Sequence, residues 1–140
     1  MANTPTLDAE GGPVRETGLA DHPIATLSPS AAAFIDATNL GDLDALLATF
    51  VDDALVNDQL QDHWGKAAIA AWATRDIIGE RVSLKVVSTV QHYGHWIVTA
   101  NVDGLFDKRW LPDPLVLAFY FSSFDNKIVQ LIILRNQSGI

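Results

Sequence analysis

The chain has no cysteine in 140 residues. Disulfide frameworks, thiolate metal sites and cysteine nucleophiles are therefore excluded. Basic residues are also scarce, with 9 Lys and Arg against 17 Asp and Glu and a net charge of −8. A phosphate-binding face or a polybasic membrane patch needs clustered cations, and these are scattered, so neither nucleic acid nor membrane is expected as a partner. No segment approaches the roughly 20 apolar residues that cross a bilayer. The first residues (MANTPTLDAEGGPVRETGLADHP) lack the basic start and apolar run of a secretory signal. A cytoplasmic location is the expectation. What remains is a chain 49% hydrophobic and 19% charged, the profile of one globular domain.

Residues 1–27 are punctuated by Gly11, Gly12, Pro13, Gly18 and Pro23 and hold few apolar anchors. Such a segment cannot offset the entropy of ordering, which predicts a flexible tail before a domain spanning 28–140. Ser28-Pro29 opens a helix, with Ser28 as cap and Pro29 at the first helical position. Gly41 stops that helix and Asp42 caps a second, Leu43 to Phe50. A short strand, Leu55 to Asp58, follows, then a loop to Gly65. Lys66 to Asp76 places Ile69, Trp72 and Ala73 on one helical face. From Val82 onward β-branched and aromatic residues predict four strands in two hairpins, turning at His92–His95 and Asp125–Lys127.

Three helices around one short strand, then four antiparallel strands, predict an α+β fold with the helices on one sheet face. Along the third long strand, Ala118, Tyr120 and Ser122 alternate with Leu117, Phe119 and Phe121. The face bearing Tyr120 is the expected pocket side. The Leu117–Phe121 face is then left for a second subunit, which predicts a homodimer through the outer sheet face.

The stretch NLGDLDALLATFVDDALVND, Asn39 to Asp58, resembles the ketosteroid isomerase and SnoaL-like polyketide cyclase branch of the nuclear transport factor 2-like superfamily. Gly65, Ile69 and Trp72 on the next helix, and FDNKIVQL near the end, extend the likeness over residues 29–136. The resemblance implies a cystatin-like conical barrel, a curved antiparallel sheet wrapped around the N-terminal helices, with an apolar pocket at one end. It also implies dimers. Asp58 matches the isomerases' catalytic aspartate, which moves a proton between carbons beside a carbonyl. Their oxyanion tyrosine falls on Phe34, which has no donor, and their second donor, a protonated aspartate, falls on Tyr120, whose hydroxyl can donate. The epoxide-hydrolase branch would need arginine at Asn101 and a second acid among Leu131 to Leu134; neither is present.

Asp58 is thus the candidate general base, since an apolar hollow favours proton uptake by a carboxylate. The plainer alternative is a turn residue bonding loop amides. Tyr120 and His63 are the candidate partners in acid–base chemistry, His63 standing against the alternative of an exposed loop histidine. Phe34, Trp64, Trp72, Asn101, Asp103 and Trp110 are candidate substrate-binding residues. Trp72 equally fits plain core, and Asp103 a solvated turn. His92 and His95 supply no third ligand, so no metal site is expected, and no cofactor is implied. Two functions fit. One is a cofactor-free isomerase, cyclase or dehydratase acting on an apolar small molecule. The other is a non-catalytic ligand-binding or dimerisation module on the same fold.

Overall fold

The computed structural model describes residues 27–135; the segment expected to form a tail lies outside them, apart from Leu27, which is buried. Helix α1 runs Pro29–Leu40, with the Ser28 hydroxyl accepting from the Ala31 N–H. Gly41, at φ 70°, ends it in the left-handed conformation that glycine adopts without strain. The Gly41 and Asp42 amides close back on the carbonyls of Thr38 and Ala37, a Schellman stop. Asp42 then caps α2, Leu43–Leu47. That helix is shorter than expected, because the chain extends from Phe50 as β1, Phe50–Asp58.

The expected loop after Asp58 is instead a tight hairpin. Gln59 and Leu60 form the turn, at φ 51° and 72°, and β2 is Gln61–Trp64. The Asn57 side chain accepts from the Leu60 N–H and donates to Asp62. Next, α3 covers Gly65–Trp72 and widens into a π-helical segment, Ala73–Ile78. Four strands complete the sheet: β3 Ser83–His92, β4 His95–Asp103, β5 Leu115–Phe124 and β6 Lys127–Arg135.

The sheet order is β2-β1-β6-β5-β4-β3. β6 lies antiparallel to β5 but parallel to β1. The expected antiparallel sheet closed into a conical barrel is therefore not formed: the sheet is mixed and open. Closure would require β2 to meet β3, and β2 is only 4 residues long before the chain turns into α3.

The helices pack on the face formed by Ala54, Val56, Val98, Ala100, Phe119, Phe121, Leu131 and Ile133, all buried. Phe34 stands edge-on to both Phe50 and Phe121, with ring centroids 5.9 and 5.6 Å away. Trp72 is fully enclosed. The β5 register is opposite to expectation. Phe119 and Phe121 point into the core, and Tyr120, 38% exposed, points out. The helices need the larger apolar rings to fill the space beneath them, and this decides which set turns inward.

Candidate functional site

Alternation along β1 puts Ala54, Val56 and Asp58 on the inner face, so the strand that builds the core ends by projecting a carboxylate beside it. There the helices and sheet form an open-mouthed cavity of about 340 Å³. Its walls are mostly apolar, among them Phe34, Ile77, Leu84, Leu117, Phe119 and Ile133. Such a volume and lining suit a small organic molecule. The polar groups on its wall are Thr38, Asp58, Gln59, Asp76, Glu80 and Arg135.

Asp58 is held from two sides. The indole N–H of Trp72 donates to Oδ2 at 3.0 Å. The Gln59 amide approaches Oδ1 at 3.3 Å and also donates to the Ile133 carbonyl at 3.1 Å. Trp72 is wholly buried and its single N–H goes to this carboxylate. The contact fixes the rotamer of Asp58 and satisfies a donor that would otherwise be stranded in the core. Thr38 donates to the Phe34 carbonyl at 2.9 Å, a bond within its own helix. Asp76 forms a two-pronged pair with Arg75, each contact 2.9 Å.

The far wall comes from the 104–114 loop, through Phe106 and Leu111. A Cβ on Gly104 would sit 2.8 Å from the Glu80 carbonyl and 2.9 Å from the Phe106 ring, so only glycine permits this approach. The Leu105 N–H reaches the same carbonyl at 2.7 Å. Lys108, bonded at 2.8 Å, holds the Asp103 carboxyl below the usual carboxylate range, assisted by the Gly104 N–H. Arg109 does the same for Asp107.

Of the residues singled out from sequence, Asp58 and Phe34 line the cavity, and Trp72 stands behind Asp58. His63 lies on β2, half-buried, with its ring 5.9 Å from that of Trp72. Trp64 and Trp110 are 65% and 87% exposed and are not part of the cavity wall. Asn101 and Asp103 line an adjoining recess beside Lys85 and Lys108, which shares Leu84, Val102, Phe106, Leu111 and Leu115 with the cavity. Tyr120 is on the opposite face of the sheet. Gln59, Asp76, Glu80 and Arg135 went unread. Glu80 carried no helical-face signal, because it follows Gly79 beyond the end of the helix, and Arg135 was masked by the nearly unbroken apolar run before it.

Among the described residues, no group of three or more His, Asp or Glu side chains is arranged to hold a metal ion. None of their helices is long and apolar enough to cross a membrane.

No family model matches the chain, and no curated protein matches it. Solved structures do. A candidate polyketide cyclase from Sinorhizobium meliloti superposes with a TM-score of 0.72 at 26% identity, over 81% of this chain and 100% of that one. An NTF2-like protein from Cytophaga hutchinsonii gives 0.62 at 10% identity, over 76% and 87% of the two chains. The fold is that of the nuclear transport factor 2-like superfamily. The Δ5-3-ketosteroid isomerase of Mycobacterium sp. has this fold too, with a TM-score of 0.63 at 20% identity over 79% of this chain and 95% of that one. In the present member of the fold, the cavity lies between helices and sheet, with Asp58 on its wall.

Proposed function

We propose that the chain is a proton-transfer enzyme for an apolar small molecule, with Asp58 as the general base. The observation that carries this reading is a carboxylate locked by a buried tryptophan N–H at the wall of a mostly apolar cavity of about 340 Å³. A positioned base in a water-poor site removes a proton from carbon beside a carbonyl, and returning it elsewhere gives isomerisation. The same first step initiates aldol-type cyclisation or dehydration. A candidate cyclase and an isomerase among the similar structures support this class of chemistry.

A convenient probe is 5-nitrobenzisoxazole, which opens when a base removes its ring C–H proton. Asp58→Asn is expected to reduce this turnover to background while leaving the circular dichroism spectrum unchanged. Equal turnover by the folded variant rules out Asp58 as the base.

The second reading, a non-catalytic binding module, is favoured by one observation: neither Phe34 nor the outward-facing Tyr120 offers a donor to the cavity. It predicts saturable binding of apolar ligands by both proteins, with no turnover by either.

The proposal extends to a homodimer through the outer sheet face. That face differs from the expected one, because it is the other parity of β5. Val90, Ile97, Tyr120 and Ile132 are successive cross-strand neighbours from β3 to β6. Among the described residues this row has no helix over it, and Val90 is 52% exposed. An apolar row crossing four strands, uncharged at its centre, suits a second copy of the same sheet.

A further inference from the structure

A proton abstraction beside a carbonyl pushes negative charge onto oxygen, and something must receive it. The cavity wall offers few donors. The Thr38 hydroxyl is committed to the Phe34 carbonyl, and the Gln59 amide to Asp58 and the Ile133 carbonyl. Arg135 is the cation on that wall, and among the described residues its guanidinium has no hydrogen-bonded or ion-paired partner. The topology brings it close to the base. Asp58 pairs with Ile133 across the parallel β1–β6 contact, and Arg135 is two residues further along β6 on the same face. Neighbouring strands lie about 4.8 Å apart and rise about 3.3 Å per residue, which leaves the two side chains within reach of each other.

We propose that Arg135 is a catalytic residue, the donor that binds the developing oxyanion while Asp58 takes the proton. This rests on the proposed role of Asp58 and extends it to a substrate class. The substrate would be an apolar molecule with an acidic C–H on the Asp58 side and its carbonyl or leaving oxygen toward Arg135. Among the described residues no carboxylate on the wall is ion-paired to this cation: Asp76 is held by Arg75, and Asp58 by Trp72 and Gln59. Glu80 is the remaining carboxylate on the wall. A planar guanidinium presents paired N–H groups to an oxygen anion, which a lysine ammonium cannot match.

In the 5-nitrobenzisoxazole reaction, Asp58 removes the ring C–H proton, the C–H electron pair completes a nitrile, and the N–O bond breaks to leave its pair on a phenolate oxygen. Arg135→Met is expected to lower kcat about tenfold. This is less than the hundredfold or more of an enclosed oxyanion donor, because Arg135 lies on the open rim. A binding measurement isolates the anion interaction. The affinities for 4-nitrophenolate and its neutral isostere 4-nitroanisole are compared above the phenol's own ionisation pH. Arg135→Met is expected to reduce the phenolate-to-anisole ratio about tenfold, with Arg135→Lys in between. Circular dichroism confirms that each variant folds. An unchanged ratio in folded Arg135→Met overturns the proposal, whatever Asp58→Asn shows. Loss of turnover in Asp58→Asn together with an unchanged ratio leaves the base in place and removes only the arginine.

Discussion

Trp72 shows how one hydrogen bond can serve both packing and chemistry. Its ring fills the core, and its N–H fixes the carboxylate of Asp58 at 3.0 Å. Trp72→Phe keeps most of the ring volume and removes the donor. A hydrogen bond to a carboxylate contributes about 2 kcal/mol, and in urea denaturation the space left by the smaller ring is expected to add to that loss. In an Asp58→Leu background the same substitution should cost markedly less, because the acceptor is already gone. Equal costs in the two backgrounds would show that the bond contributes nothing. Asp58 itself was legible because it ends an apolar strand in a stretch resembling a known family. Its bond to Trp72 was not, since a tryptophan at helical spacing with Ile69 reads equally well as plain core. Tyr120 was misplaced because a nearly continuous apolar strand carries no parity signal of its own. Only the demand for large rings beneath the helices settles its direction.

The elements divide in the same way. Helix α1 was readable at both ends, since Ser28-Pro29 and Gly41 are strong local signals. Strand β2 was not, because its turn uses Gln59 and Leu60, two residues with no preference for positive φ. A leucine at φ 72° costs about 1–2 kcal/mol of strain, offset here in part by the Asn57 bonds around the turn. The 104–114 loop carries two exposed ion pairs, one of them back to Asp103 at the end of β4. Its Asp103–Lys108 and Asp107–Arg109 pairs lower both carboxylate pKa values. Depressed folded values mean that this contribution is present above the ordinary carboxylate pKa of about 4 and is lost as the pH falls below it, toward the folded values. Trp110 lies on the same loop, 87% exposed. Its environment, followed by fluorescence with the other tryptophans replaced, is expected to change on acidification below about pH 4. Asp107→Asn should bring that change to milder pH. Identical acid profiles for the two proteins would show that the Asp107 pair does not hold the loop.

At the scale of the molecule, the uncovered row from Val90 to Ile132 makes a claim about assembly. Wild-type protein is expected to sediment at twice its 15.2 kDa chain mass. Tyr120→Lys combined with Ile132→Lys should yield monomers that still fold, since neither side chain points into the core. Wild-type monomers at every concentration would rule out the paired sheets. Sequence indicated the kind of fold and its apolar strands, but not the sheet's open, mixed form, because pairing between distant strands leaves no local trace. That pairing also governs when the site comes into being. Gln59, beside the base, is bonded to Ile133, 74 positions further along the chain. A growing polypeptide on the ribosome therefore carries Asp58 long before its neighbour strand exists. Until β6 emerges and docks, the β1 edge is bare, and the pocket wall is missing the cation we assign to it.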